Sequence, residues 1–153
     1  MKQTIRWTLS IPGILFLVIG LAAQPKTVAE RLGYPSDARL LMIHADDLAL
    51  AQSVDRASLA ALEKRAVTAG SIMVPCPWYT EIAEYMQKNP QADLEVHLTL
   101  TSEWKSYRWG PLASRNEVAG LLDPHGYLWA GAADVAQKAK AEEIERELRA
   151  QID

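Results

Sequence analysis

Leu40-Leu41-Met42-Ile43-His44-Ala45-Asp46-Asp47-Leu48 is the stretch on which the fold turns. Four apolar residues run unbroken and then give way to polar ones. A short continuous run of this kind suits a strand buried on both faces, as in a parallel sheet. The Asp46-Asp47 pair ends the strand in a turn. Beyond it, apolar residues recur at Val54, Ala57, Leu59, Ala60, Ala61 and Leu62. This spacing predicts a helix from about Ser53 to Arg65, with the Ser53 hydroxyl as its cap.

Working outward, the same alternation repeats. Val67–Val74 predicts a second strand, stopped by Pro75 and Pro77, since proline cannot donate to a sheet ladder. Tyr79–Asn89 predicts a second helix, ended by Pro90, and Leu94–Leu100 a third strand. A long loop rich in aromatics and turn formers follows. From Ala132 the chain reads as helix, with Glu and Arg over 142–149 forming a solvated face. Upstream, 24–37 reads as a lead-in holding a helical turn at Ala29–Gly33, and 38–153 as the domain proper. Strand–helix alternation implies βα units in an α/β fold, with a parallel sheet or barrel. The last helix reaches Asp153 with no cap and no following strand, and three strands are too few for a barrel. The fold is therefore expected to be incomplete in this chain.

Composition narrows the class. Hydrophobic residues make up 49% of the 153 and charged residues 23%, a globular balance that argues against disorder. The net charge of -3, with no basic stripe, excludes nucleic acid as an expected partner. Residues 1–23 carry Lys2 and Arg6, then an apolar stretch ending in Leu21-Ala22-Ala23. That order is a secretory signal peptide, with cleavage expected after Ala22 or Ala23. The mature chain is then periplasmic or secreted, without a stable membrane anchor. The lone Cys76 lies in an apolar run and reads as a buried structural thiol.

Two constellations carry chemistry. Asp46-Asp47 places adjacent carboxylates at a strand end, which is unfavourable unless a cation or hydrogen bonds compensate. His97 interrupts the apolar strand Val96-His97-Leu98. Each alone has a bland reading, a helix-capping turn and a satisfied core histidine. Together, on parallel strands, they form two-thirds of a three-ligand metal site with positions left open for water and substrate. His44 lies two residues before Asp46, on the same side of a strand, and is a candidate to support that site. Trp104, Tyr107, Arg108 and Trp109 are candidates for a sugar-binding loop, or equally for a loop that buries its own aromatics against the domain. His125, in Asp123-Pro124-His125-Gly126, reads as an exposed loop histidine.

The wording and order of these segments resemble the YdjC-like carbohydrate deacetylases. The resemblance rests on Leu41–Leu48, Ser53–Ala57, Val67-Thr68 with Ser71–Pro75, Val96–Thr101 and Glu103–Pro111, and covers about 38–153. It implies a variant (β/α) barrel and a divalent ion, magnesium or zinc. It implies Asp47 and His97 as metal ligands, Asp46 as the base, and a third ligand, a histidine, from a later strand outside this chain. Two residues depart from the family pattern. Ala49 stands where glycine follows Asp-Asp-Leu, and Glu95 where glycine precedes the histidine strand. The expected reaction is hydrolysis of N-acetyl groups on an amino-sugar oligosaccharide, with the isolated chain nearly inactive. The alternatives are a non-catalytic carbohydrate-binding fragment and a phosphoesterase on the same scaffold. The oligomeric state is open, a homodimer included.

Overall fold

The computed structural model describes residues 25–153. The expected signal peptide lies outside the described residues. The chain divides after Leu40 into two units. Among the described residues the first holds one short helix, α1 (Val28–Arg31), starting one residue before the expected turn and ending two before its end. Thr27 caps it: its hydroxyl accepts from Glu30 N at 3.2 Å, and its own N–H donates to Glu30 Oε2 at 2.8 Å.

The second unit, 41–153, is an α/β domain. Its order is β1 (His44–Leu48), α2 (Gln52–Glu63), β2 (Ala69–Ile72), α3 (Tyr79–Lys88), β3 (Leu94–Val96), a long connection, α4 (Ala132–Lys138) and α5 (Ala141–Ile152). The three strands pair in parallel in the order β1-β2-β3. Parallel pairing follows from the βα alternation. The only β-pairing recorded outside them among the described residues is an antiparallel bridge between Leu122 and Leu128.

The first strand falls later than expected. Leu40–Ile43 lies outside the sheet and is exposed, Leu41 at 79% and Met42 at 71%. The reason is the partner. β2 begins at Ala69, so a ladder can begin only at His44. Thr68 closes that end by donating its N–H to Ile43 O at 2.8 Å, while its hydroxyl accepts from Ile43 N at 3.2 Å. β2 is buried along its whole length, as a central strand should be. It is shorter than the expected Val67–Val74, with one more bond carried on by Met73 N to Leu48 O at 2.8 Å.

Helix boundaries show similar adjustments. α2 starts at Gln52, and Ser53 sits inside it rather than capping it. α3 matches its expected span to within one residue. The expected last helix breaks in two. Ala139 and Lys140 are extended, and Gly120 crosses them so closely that a side-chain carbon there would meet Lys138 O at 2.6 Å. Glu143 secures the crossing, accepting from Gly120 N at 2.9 Å and Lys140 N at 2.7 Å.

The core is built from Leu48, Leu50, Ile72, Met73, Ile82, Trp109, Val118, Leu121, Leu128 and Val135. Cys76 is buried among them, as its apolar surroundings predicted. The 142–149 segment is not uniformly solvated. Glu147 is fully buried, and its carboxylate accepts from Leu112 N at 3.1 Å, Ala113 N at 2.9 Å and Gln151 Nε2 at 2.7 Å. Gln151 in turn accepts from Thr99 N at 3.0 Å and donates to Thr99 O at 2.8 Å. A side-chain amide thus takes the two bonds a neighbouring strand would make. This is why β3 ends at Val96 instead of running to Leu100.

Candidate metal centre

The centre is built where β1 breaks its own pleat. Ala45 pairs with Gly70 and Leu48 with Ile72, so two residues on β1, Asp46 and Asp47, stand opposite one on β2, Ser71. This is a β-bulge at Asp46-Asp47, and a bulge re-aims the side chains it carries. In a regular strand adjacent side chains point to opposite faces. Here Asp47 is left-handed (φ 60°), and both carboxylates reach one histidine. Aspartate tolerates that conformation, whereas Ala49 at φ 75° is an L-residue strained by roughly 1–2 kcal/mol. Glycine at that position would carry no such strain.

His97 follows β3, its N–H bonded to Ile72 O at 2.9 Å. Its Nδ1 lies 3.1 Å from Asp46 Oδ1 and 3.3 Å from Asp47 Oδ1. The ligand atoms of Asp46, Asp47 and His97 all lie within 4.8 Å of one another. His97 Nδ1 is nevertheless buried without a hydrogen bond among the described residues. A ring nitrogen facing two carboxylate oxygens without bonding either is a donor set that fits a divalent ion. His97 is thus not satisfied by a hydrogen bond at Nδ1 among the described residues.

The environment treats the two carboxylates oppositely. Ser71, buried on β2, donates its hydroxyl to Asp46 Oδ1, and this bond, helped by His97, holds the Asp46 carboxyl below its usual range. Burial pushes the Asp47 carboxyl up, and the charges of Asp46 and Glu103 add to the effect, while His97 opposes it. His44 Nε2 lies 3.9 Å from Asp46 Oδ1 and 3.7 Å from Glu95 Oε1, beside the centre without bonding it. Glu95 thus faces His44.

The aromatic loop splits into two groups. Trp104 and Tyr107 are exposed, 41% and 48%, and meet edge to face with centroids 6.4 Å apart. Trp109, a candidate to face a sugar, is 3% exposed and belongs to the core. Arg108 is also spoken for. Its guanidinium donates to Ser102 Oγ at 3.1 Å, Asp123 Oδ2 at 3.0 Å and Leu128 O at 2.9 Å, and lies over the Tyr127 ring. These bonds fold the loop on itself. His125 is exposed in its turn.

Three polar residues near the centre had no assigned role: Ser71, Asp55 and Glu103. Ser71 stands alone in the buried strand Ala69-Gly70-Ser71-Ile72, and a lone hydroxyl in a strand buried throughout was the one available signal. Nothing in the local pattern marked the other two.

Parallel strands with a carboxylate–imidazole cluster at their carboxyl ends define an α/β protein whose donors suit a divalent ion. Within that class the chain belongs to the YdjC-like protein family, whose model matches residues 40–153. It is 40% identical over 123 residues to a carbohydrate deacetylase of Thermus thermophilus, covering 80% of this chain and 41% of that protein. It is 25% identical over 114 residues to a carbohydrate deacetylase of Thermoanaerobacter pseudethanolicus, covering 74% and 43%. A solved structure from Enterococcus faecalis, named for cellobiose-phosphate cleavage, superposes with a TM-score of 0.61 at 30% identity, covering 72% of this chain and 41% of that one. The chain spans about two-fifths of the length of these relatives.

Proposed function

We propose that this chain carries the base and two metal ligands of a carbohydrate deacetylase, acting on N-acetylated amino-sugar oligosaccharides. The observation that carries the reading is the orphaned His97 Nδ1 facing Asp46 and Asp47. Asp47 and His97 would hold a divalent ion, magnesium or zinc. When bound, the ion supplies Lewis acidity, polarising the amide carbonyl and lowering the pKa of water. Asp46, kept ionised and aimed by Ser71, takes the proton from the attacking water. Trp104 and Tyr107 present the ring faces on which a pyranose would stack. A third ligand from a further strand, in a variant (β/α) barrel, would complete the centre. Residues 1–23 read as a signal peptide, which puts the reaction in the periplasm or outside the cell.

The test is titration of the 153-residue chain with Mn²⁺ by calorimetry, before and after His97→Ala. Saturable binding lost in the variant supports the reading. No binding at millimolar Mn²⁺ overturns it. Acetate release from N-acetylated chitooligosaccharides, with and without EDTA, then reads the chemistry. The 153-residue chain by itself is expected to release almost none. Oligosaccharide binding indifferent to EDTA would favour the non-catalytic alternative instead.

A further inference from the structure

Asp55 is a fully buried aspartate, one turn into α2, that the chemistry above does not use. Its Oδ1 accepts from Ala49 N at 2.7 Å, and its Oδ2 has no partner among the described residues. Burying a carboxylate for one backbone N–H is unfavourable unless that bond fixes something else. What it fixes is the segment between the bulge and α2, where Asp47 and Ala49 are both left-handed. Two further bonds grip the same turn: Ala49 O accepts from Trp78 N at 3.0 Å, and Leu48 O from Met73 N at 2.8 Å. Both come from the strand and loop behind. Only Asp55 takes the Ala49 N–H. A favourable interaction with the α2 dipole alone would need no contact with Ala49.

We propose that Asp55 is a positioning residue for the metal centre. Its bond to Ala49 holds residues 47–49 in their left-handed turn and so aims the Asp47 carboxylate at His97. The functional consequence rests on the metal reading above; the geometry does not.

Two readouts on the whole chain separate these. Cα and Cβ chemical shifts of residues 47–49, taken without metal, report the backbone conformation. Mn²⁺ titration reports the centre. Asp55→Ala is expected to move the shifts of Asp47 and Ala49 out of the left-handed range and to weaken Mn²⁺ binding about 10-fold, the usual scale for losing a residue that orients a ligand. Asp55→Asn keeps an acceptor oxygen without the charge and should leave both readouts near wild type. Adding Ala49→Gly to Asp55→Ala should restore part of the affinity, because glycine takes the left-handed conformation freely. Unchanged shifts in Asp55→Ala overturn the assignment. So does Asp55→Asn behaving like Asp55→Ala, which would make the charge and not the bond responsible. If Asp55→Ala fails to fold, a folded double variant with Ala49→Gly supports the assignment and an unfolded one overturns it. If wild type binds no Mn²⁺, the metal reading falls, and the shifts alone still decide the role of Asp55.

Discussion

Glu147→Ala should be among the most damaging single changes in this domain, although the residue sits in a run of Glu and Arg that looks solvated. The side chain is fully buried and ties the 112–113 segment to α5: Leu112, Ala113 and, one turn along the helix, Gln151 all donate to it. Truncation removes three hydrogen bonds to a charged group, each contributing about 1.5–3 kcal/mol. It also leaves two partly buried backbone N–H groups unpaired. Such terms do not add. A part of the gain was already offset by desolvating the carboxylate, so a net loss of about 3–5 kcal/mol is expected. Against a total stability of about 5–15 kcal/mol, that is a large fraction. Urea unfolding reads it directly. With a slope of about 1.5–2 kcal/mol/M, the midpoint should fall by roughly 1.5–3 M. Glu145→Ala is the control, because Glu145 is exposed on the same helix and pairs only with Arg149 at 2.9 Å. It should change stability by less than about 0.5 kcal/mol. If the two variants unfold at the same urea concentration, the Glu147 cluster contributes nothing and the account of the α5 anchor is wrong.

Three other outcomes follow from the same structure. Asp47→Asn should abolish Mn²⁺ binding yet stabilise the metal-free chain at neutral pH. Burial holds the Asp47 carboxyl above its usual range, so its favourable contribution is present in acid and is lost as pH rises through that raised value; a variant less stable than wild type at pH 7 would contradict this. Burial pushes the Cys76 thiol up to about 12, with Asp47, Asp55 and Glu103 adding, so DTNB at pH 8 should label it only at the rate of unfolding, and rapid labelling of the folded chain would show the site to be open. Trp109→Ala should cost about 3–5 kcal/mol by opening a cavity, whereas Trp104→Ala should leave the urea midpoint nearly unchanged and weaken oligosaccharide binding; the reverse pattern would exchange their roles.

What was legible in the sequence depended on whether the deciding force was local. α3 was predicted to within a residue because Pro77 and Pro90 bracket it, and proline acts through its own backbone. The strands were misplaced because their ends are set by partners. β1 starts where β2 can meet it, and β3 stops where Gln151, 52 residues after Thr99, takes over the ladder. Hydrophobicity of Leu40–Ile43 carries no information about either event. Trp109 and Arg108 could not be placed from the sequence for the same reason: an aromatic–basic loop reads alike whether it faces a ligand or closes on Ser102 and Asp123. The centre itself was legible because Asp46, Asp47 and His97 interrupt apolar strands. Ser71 interrupts one too, but a lone hydroxyl is a weak signal until its partner is known.

The geometry of the centre was not legible at all, and the reason is physical. Adjacent aspartates on a regular strand diverge. Convergence needs the extra residue between Ala45 and Leu48, and that residue must be absorbed before Leu48, which is fully buried in the core opposite Ile72. Core packing therefore fixes where the bulge ends, and the bulge fixes where the carboxylates point. The strain this creates gathers in three residues, with Asp47 and Ala49 both at positive φ. Glycine at 49 would relieve half of it, yet this chain has alanine, fully buried and held by Asp55 and Trp78. The buried methyl contributes about 0.8 kcal/mol, close to the lower bound of the strain. Alanine at 49 is thus tolerable here only because the surrounding bonds over-determine the turn, so the left-handed alanine and the buried Asp55 are two sides of one structural solution.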